Sequence, residues 1–427
     1  MKVFERYFDR NPIGNPLEFD NNPEAVVIIP VLDDRDIFGT LDSLARSTCK
    51  NGNVGVVVLV NHAENCPGSV KSDNCSLAGE IERFAGKKLA DSRVECRVVR
   101  AFDLPPRYAG VGLARKIAMD CAAYFLYTHG KAGCPILSLD ADTTVDADYT
   151  DEVIDVFRSG PLAGVSIAFA HRPDGSHGEA EEAMIKYELY LRYYRWGLVF
   201  AGHPHAYHCI GSAFAVRASD YVAQGGMNRR QAGEDFYFIQ KLIATGRFRT
   251  LGTTTVYPSA RFSDRTPFGT GRALRRIAAD GGRFPVYNFE AFRLLRSFLQ
   301  GVGGLYKLPA GGIDAYIDRQ ECHLRDFLNG DGAGGKIAVI GDNCASLYQF
   351  KRRFFNYFNA FLVLKFLNYI HVSALQKRDI SAAVRSLFAA MDFPCGQDDL
   401  GNLLFLRERD RSDLSVDYDN GCCHRCR

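Results

Sequence analysis

Ile136-Leu137-Ser138-Leu139-Asp140-Ala141-Asp142-Thr143-Thr144 is the stretch from which the fold of this chain can be predicted. Its short apolar run is typical of a buried strand, and the two acidic residues then lie in the loop at the carboxyl end of that strand. Open α/β sheets bind their ligands at this end. Asp140 and Asp142 would repel each other unless a cation lay between them, and Mg²⁺ or Mn²⁺ bound to phosphate oxygens fits that requirement. A solvated turn is the alternative.

Strand and helix signals alternate on both sides of this stretch. Apolar runs rich in β-branched residues predict strands, most of them covered on both faces, at Ala25–Val31, Val54–Val60, Val94–Val99, Ile136–Leu139, Val165–Ala170 and Thr253–Tyr257. Helical patterns occupy Asp34–Arg46, Leu77–Leu89, Gly112–Tyr127, Asp148–Phe157, a longer segment from Glu179, and Glu234–Thr245. This alternation predicts an α/β fold in which helices flank a Rossmann-like, mostly parallel sheet.

The character of the chain changes beyond about residue 270. Segments rich in Arg, Phe and Leu predict helices at Phe289–Leu299, Cys322–Leu328, Leu347–Tyr369 and Ala382–Met391, with a Gly-rich linker at Gly301–Gly312. We therefore predict an α/β domain over residues 1–271 and a mainly helical accessory region over residues 272–427. This region would complete a substrate site, form a homodimer contact, or rest as a peripheral contact on a membrane face; for its apolar segment Phe354–Tyr369 a packed helix is favoured.

The composition excludes several classes of protein. A formal net charge of +2, with 24% charged and 47% hydrophobic residues, indicates a globular protein with no bulk attraction to nucleic acid. The first sixteen residues are charged and interrupted by proline, unlike a signal peptide. Asparagines and a lysine interrupt the apolar segment Phe354–Ile370, which makes it too polar for a membrane-spanning helix. The 13 cysteines have no framework spacing, so we predict reduced thiols and a cytoplasmic protein. A zinc site in the tail Cys422–Cys426 is a weaker alternative.

Two loops offer groups for an anionic ligand. Residues 107–116 form a glycine-containing loop that opens a helix, where the backbone can approach an anion closely, although the Gly-Lys-Ser/Thr of a Walker loop is absent. Residues 257–272 place three arginines among hydroxyls, and arginine forks match phosphate oxygens. A solvated basic loop is the alternative for the second segment. The candidate anion-binding residues are Gly112, Arg115, Lys116, Arg261 and Arg265.

Other polar residues have both a functional and a structural interpretation. Polar pairs follow the first two predicted strands, Asp33-Asp34 and Asn61-His62, and could bind a base or ribose, or could cap a helix or turn. The pair Glu234-Asp235 opens a helix, where acidic residues also interact favourably with the helix dipole. In the histidine-rich loop, His208 is our first choice for a third metal ligand, because imidazole accepts Mn²⁺. A hydrogen-bonded loop histidine is the alternative.

The order of these features resembles that of family 2 glycosyltransferases, which have the GT-A fold. The resemblance covers about residues 24–260 and rests on five segments in sequence: 28–31, 112–116, 140–142, 225–226 and 234–235. It implies that residues 1–271 are a GT-A-like catalytic domain that binds a nucleotide-sugar.

Roles follow from the resemblance for the donor site. Pro30, Val31 and Asp33 would line the base pocket, while Asn61 stands where the family often has an aspartate. The family's Gly-x-Ala-Arg-Asn loop appears as residues 112–116, with Lys116 in place of the asparagine.

The resemblance also implies a division of roles among the acidic residues. Asp140 would face ribose or metal, and Asp142 would ligate Mn²⁺ or Mg²⁺. Asp235, with Glu234 beside it, matches the family's general base. Arg261 or Arg265 would add positive charge at the diphosphate.

The expected reaction moves a sugar from a UDP- or GDP-sugar to a hydroxyl of a glycan, lipid-linked or small-molecule acceptor, with inversion. It would be non-processive, because the Gln-x-x-Arg-Trp motif and the membrane helices of processive synthases are absent from the sequence. The histidine loop leaves a retaining variant open. A sugar nucleotidyltransferase is an alternative, although residues 30–35 lack the glycines that usually open such enzymes. The other alternative is a non-catalytic protein that binds a nucleotide-sugar.

Overall fold

The computed structural model describes residues 2–172, 178–231, 233–261 and 270–412. Contacts divide the chain into two compact units. The first comprises the described residues within 1–176, 209–273 and 409–415, and the second those within 177–208, 274–408 and 416–427. The predicted domain boundary at residue 271 stays a prediction. The described residues 178–208, which contain the long helix Glu179–Ala201, group with the second unit.

An eight-stranded sheet forms the centre of the first unit. Its strands are β1 (Ala25–Val31), β2 (Val54–Ala63), β3 (Val94–Leu104), β4 (Pro135–Ser138), β5 (Thr144–Val145), β6 (Gly164–Phe169), β7 (Phe214–Arg217) and β8 (Phe248–Tyr257). Their spatial order is β3-β2-β1-β4-β7-β6-β8-β5. Four neighbouring pairs of these described strands are parallel and three are antiparallel. The predicted class, a mostly parallel α/β sheet, is confirmed.

Several helices of the first unit pack against this sheet, and the others pack on those helices. They are α1 (Lys2–Arg10), α2 (Ile37–Ala45), α3 (Gly68–Lys88), α4 (Val111–Thr128), α5 (Tyr149–Arg158), α7 (Ala218–Ala223) and α8 (Glu234–Ile243), while α6 (Glu179–Ala201) belongs to the second unit. Every residue of β1 is buried, as expected for a central strand that is covered on both faces. Its Val- and Ile-rich sequence suits this position because β-branched side chains pack well on a pleated surface.

The register between β1 and β4 determines where the site forms. The two strands are parallel, with Ile28 opposite Ser138, and the Leu139 backbone N–H donates to the Ile28 carbonyl oxygen at 3.1 Å. The chain therefore leaves both strands at the same edge of the sheet. The acidic residues after β1 and those after β4 become neighbours although more than one hundred residues separate them in sequence.

The second unit is mainly helical. Besides α6 it contains α10 (Phe289–Gln300), α11 (Ala310–Asp318), α12 (Cys322–Gly330), α13 (Ala333–Asp342), α14 (Leu347–Tyr357), α15 (Ala360–Ser373), α16 (Ile380–Ala390), and most of α9 (Thr270–Ala279) and α17 (Asp399–Ser412). Two short strands, β9 (Pro285–Val286) and β10 (Arg378–Asp379), pair antiparallel. An aromatic-rich core that includes Phe292, Phe298 and Phe354 holds it together.

The predicted boundaries in this unit are corrected at two places. The single helix predicted over Leu347–Tyr369 is two helices, because Asn359 caps the second by accepting from the backbone N–H groups of Phe361 and Leu362. The predicted Gly301–Gly312 linker contains a 3₁₀ helix, Val302–Leu305, and the start of α11. Within the described ranges, no helix has both the length and the hydropathy that crossing a bilayer requires. All ten cysteines there are free thiols.

Candidate functional site

Six carboxylates and two guanidinium groups cluster in the first unit. The carboxylates come from three places in the fold: the loop after β1, the loop after β4, and the first turn of α8. The members are Asp34, Asp36, Asp140, Asp142, Glu234, Asp235, Arg115 and Arg261. We call these eight residues the carboxylate cluster.

Arg115 is the buried centre of the carboxylate cluster. It is the fifth residue of α4, and its side chain is only 2% exposed. Its Nε donates to the Ser138 hydroxyl at 3.0 Å, while Nη1 donates to Glu234 and Nη2 donates to Asp140. One guanidinium thus joins α4, β4 and α8 by charge-assisted hydrogen bonds. Arg115 was predicted to bind an anionic ligand, but its donors already bind these three protein groups.

Two glycines permit this close packing. A side chain at Gly211 would place its Cβ 2.9 Å from Nη2 of Arg115. At Gly112 a Cβ would lie 2.1 Å from the carbonyl oxygen of Arg230 and 3.0 Å from Cβ of Glu234. Gly112 was predicted to let the backbone approach a ligand. The structure instead uses it to bring α4 against the segment that leads into α8.

Asp142 carries negative charge that its surroundings do not fully balance. Burial raises its pKa to about 7, and the neighbouring Asp140 and Asp34 act in the same direction, while Arg261 lowers it. Asp140 itself is 40% exposed, so this end of the carboxylate cluster is open to solvent. The carboxylate cluster has six carboxylates and two arginines among its described residues, so its electrostatics favour binding a cation.

Glu234 and Asp235 open α8 from a left-handed residue, Gly233, whose φ is +69°. Burial raises the pKa of both carboxyls, and the charge of Arg115 opposes that rise. Asp235 accepts hydrogen bonds from the backbone N–H groups of Phe236, at 2.7 Å, and Gly211. A fixed carboxylate with a raised pKa is a stronger proton acceptor than an exposed one.

Arg261 bridges the two strand-end loops. Its Nη1 binds Asp36, and its Nη2 binds Asp34 and lies 3.2 Å from Oδ2 of Asp142. The residue follows β8, so three segments distant in sequence meet at one guanidinium. Its side chain is 32% exposed, whereas that of Arg115 is almost fully enclosed.

Two predicted donor-binding residues make other contacts. Lys116 directs its Nζ to Asp120, at 2.8 Å, and is buried away from the carboxylate cluster. Asn61 donates its side-chain amide to the Val31 carbonyl oxygen at 2.8 Å, so this amide supports the end of β1. We therefore leave Lys116 and Asn61 out of the proposed donor site. Asp33 is exposed in a left-handed conformation with φ +44°.

Pro30 and Val31 are buried in the last two positions of β1, so their predicted contact with a base stays a prediction. His208 belongs to the second unit, and its role as a metal ligand stays a prediction as well. Arg265 lies outside the described residues.

Among the residues that the structure describes, one group of three adjacent side chains has metal-ligand spacing: Glu321, Cys322 and His323. Glu321 is the N-cap of α12 and accepts from the backbone N–H groups of His323 and Leu324. A helix cap accounts for this geometry, so we assign no metal to it.

The sequence analysis missed three residues of the site and its surroundings. Asp36 follows β1 closely, and the signal was the dense acidic run in residues 33–36, of which only Asp33 and Asp34 were considered. Ser138 and Gly211 gave no signal, because their roles depend on where the guanidinium of Arg115 lies.

Comparisons with known proteins add little at the level of sequence. No model of a known protein family matches the chain, and no curated protein matches it either. Among solved structures, the chain is similar to S. aureus TarS 1-349 in complex with UDP-GlcNAc, with 13% identity and a TM-score of 0.40, covering 73% of this chain and 87% of that one. It is also similar to GalNAc-T7 with UDP, GalNAc and Mn²⁺, with 12% identity and a TM-score of 0.36, covering 68% and 52%. Because both TM-scores lie below 0.5, no residue assignment rests on these similarities.

Proposed function

We propose that the chain is a metal-dependent glycosyltransferase that moves a sugar from a nucleotide-diphosphate sugar to an acceptor hydroxyl. The observation that carries the proposal is the convergence of Asp140 and Asp142 with Glu234 and Asp235, in a carboxylate cluster where, among the described residues, six carboxylates face two arginines. Such a cluster at the carboxyl ends of parallel strands suits a cation together with a diphosphate.

The residues present fit a hard divalent cation. All candidate ligands at the open end of the carboxylate cluster are carboxylate oxygens, which Mg²⁺ and Mn²⁺ prefer. The raised pKa of Asp142 indicates that a further positive charge would stabilise its ionised form. Asp140 and Asp142 would hold the ion, which, when bound, would neutralise charge on the diphosphate leaving group.

The chain's own residues would carry the rest of the reaction. Asp235 would accept the proton of the acceptor hydroxyl as that oxygen attacks the anomeric carbon. Its hydrogen bonds from the backbone of Gly211 and Phe236 would hold the carboxylate in one orientation. Glu234 would position Arg115, and Arg115 would in turn fix Asp140. Arg261 would bind diphosphate oxygens after leaving its present partners.

The finer parts of the proposal rest on the resemblance to family 2 glycosyltransferases. They are inversion, non-processive transfer, a UDP- or GDP-sugar as donor, a glycan, lipid-linked or small-molecule acceptor, and a cytoplasmic location. A catalytic domain over residues 1–271 and a helical accessory region over residues 272–427 belong to the same proposal.

Asp235→Asn tests the assignment of the base. We expect turnover of a nucleotide-sugar to fall by roughly 10²–10⁴-fold, while the affinity for the donor changes little, because general-base catalysis is lost but the binding groups remain. Nucleotide release from a panel of UDP- and GDP-sugars with Mn²⁺ measures the first quantity, and calorimetry measures the second.

Asp91→Asn is the matched control, because Asp91 is exposed and lies in the turn before β3. It should leave the turnover of the nucleotide-sugar and the affinity for the donor unchanged. A collapse of donor affinity in Asp235→Asn would make Asp235 a binding residue, and unchanged turnover would exclude it as the base. NMR of the product would report inversion or retention at the anomeric carbon.

A further inference from the structure

One nitrogen atom of Arg261, Nη2, lies between the carboxylates of Asp34 and Asp142, which follow two different strands. Its Nη2 binds Asp34 and lies 3.2 Å from Oδ2 of Asp142, while Nη1 binds Asp36. Asp34 is nearly buried, with 9% of its side chain exposed, so its charge needs a close partner. The positive charge at this position already belongs to the protein.

We propose that Arg261 is an internal counter-cation that competes with the divalent ion, and that Asp34 becomes a ligand of that ion beside Asp142 when Arg261 leaves. This inference rests on the proposed function, because it concerns the same cation. It extends the ligand set beyond the two carboxylates of residues 140–142. In the metal-free protein, Arg261 would occupy the position of the ion.

Physical reasons make the two cations exclusive. Mg²⁺ or Mn²⁺ binds carboxylate oxygens at about 2.0–2.2 Å, so an ion shared by Asp34 and Asp142 would lie where Nη2 of Arg261 now lies. The metal ion and the guanidinium of Arg261 would also repel each other if both lay between these carboxylates. Arg261 can leave because its side chain is 32% exposed, in contrast to Arg115 at 2%.

The competition has a consequence for the order of binding. A diphosphate offers Arg261 a new partner that matches its fork, and this would release its contacts with Asp34 and Asp142 and open the position between them to the ion. Donor and metal should therefore bind with positive coupling, in which each raises the affinity for the other. Without Arg261 that coupling should be smaller, because the ion no longer has to displace a guanidinium.

Direct Mn²⁺ binding to the full chain tests the competition without any turnover. Electron paramagnetic resonance of free Mn²⁺, in the absence of nucleotide, would measure the affinities of the wild type and of two variants. We expect Arg261→Gln to bind Mn²⁺ about tenfold more tightly, because a competing positive charge is removed. We expect Asp34→Asn to bind it about tenfold more weakly, because a charged ligand is lost while the acceptor for the Asp36 backbone N–H is kept.

Arg35→Gln is the matched control for charge. It makes the same substitution one residue after Asp34, but Arg35 is exposed and pairs with Glu80, so the Mn²⁺ affinity should change by less than about threefold. Arg261→Lys keeps the charge and loses the fork that joins Asp36 to Asp34, so its affinity should fall between those of the wild type and Arg261→Gln. Circular dichroism establishes that each variant is folded.

The outcomes separate this inference from the proposed function. If the wild type binds Mn²⁺ and Arg261→Gln has the same affinity, the competition is wrong. If Asp34→Asn also matches the wild type, Asp34 is not a ligand; in both cases the proposed metal site stands. If neither the wild type nor Arg261→Gln binds Mn²⁺, with or without UDP, the metal-dependent function fails together with the inference. Repeating the titration with UDP measures the coupling.

Discussion

Arg115 and Lys116 are consecutive residues of α4, yet they enter two networks of opposite character. Arg115 enters the carboxylate cluster, where negative groups outnumber positive ones and Asp140 is 40% exposed. Lys116 enters a closed network with Tyr7, Asp120 and Tyr221, in which each charge has an opposite partner. Both residues were expected to face the same anion.

The closed network is fully paired. The Lys116 ammonium donates to Asp120 and to the Tyr7 hydroxyl, each at 2.8 Å, and Asp120 accepts from the hydroxyls of Tyr7 and Tyr221, each at 2.6 Å. These contacts join α1, α4 and α7. Burial and the charge of Asp120 raise the pKa of both tyrosines, so they remain neutral donors. This network has the properties of a structural contact.

The difference shows how two buried ionic groups in one unit can be assigned different roles. A network with balanced charges and saturated hydrogen bonds holds elements together. A cluster with surplus negative charge, an open end and a raised pKa at Asp142 is less stable alone than with a cation bound. Substitutions in the two networks should therefore have different readouts, and only in the carboxylate cluster should the removal of a carboxylate stabilise the metal-free protein.

Arg115→Met should have the largest effect on stability. It leaves the buried Glu234 and the half-exposed Asp140 without their shared partner, and breaking a buried ion pair such as that with Glu234 typically costs about 3–5 kcal/mol. Urea unfolding measures the loss. Arg35→Met, at an exposed position, is the control and should cost less than about 1 kcal/mol. A loss in Arg115→Met no greater than that of the control would contradict its central role.

Lys116→Met should cost less, about 2–3 kcal/mol, because Asp120 keeps two hydroxyl donors after the ammonium is removed. The folded variant should bind Mn²⁺ and nucleotide as the wild type does. A double variant with Asp120→Asn should recover part of the stability, since the uncompensated carboxylate is then also removed. A change in Mn²⁺ affinity would show that the two networks are coupled.

The strands and the candidate acidic residues were predictable because local signals determine them. Apolar runs located β1, β2, β3, β4 and β6, β1 with its bounds as predicted, whereas the two-residue strand β5 was missed. Parallel strands end at one edge of a sheet, so residues after β1 and β4 could be expected to meet.

The remaining contacts could not be predicted because the sequence does not fix side-chain direction. Consecutive residues on a helix point about 100° apart, so at most one of Arg115 and Lys116 could face the carboxylates. Nothing local indicates that Arg261 would bind Asp34, 227 residues away. The helix α13 was missed because its glycines at 334, 335 and 341 lower its helix propensity.

Asp142→Asn should have the smallest effect and the opposite sign. Burial raises the pKa of Asp142 to about 7, well above its value in an unfolded chain, so the folded protein binds this proton more tightly. In EDTA, the stability of the wild type should rise as the pH falls from above 7 toward 4. At pH 8 the ionised carboxylate is unfavourable, and the asparagine variant should be more stable by about 1–2 kcal/mol.

Glu234 and Asp235 also have raised pKa values and contribute to the pH dependence of stability in both proteins. The difference in stability between the variant and the wild type therefore isolates the contribution of Asp142. Thermal unfolding at pH 8 and pH 5 measures it, and the gain should shrink at pH 5, where the wild-type carboxyl is protonated. Mn²⁺ should stabilise the wild type at pH 8 more than the variant, since the ion supplies positive charge to the Asp142 carboxylate, which asparagine does not have. A variant less stable than the wild type at pH 8 would mean that Arg261 and Arg115 already balance the carboxylate cluster, and that Asp142 is a structural residue like Asp120.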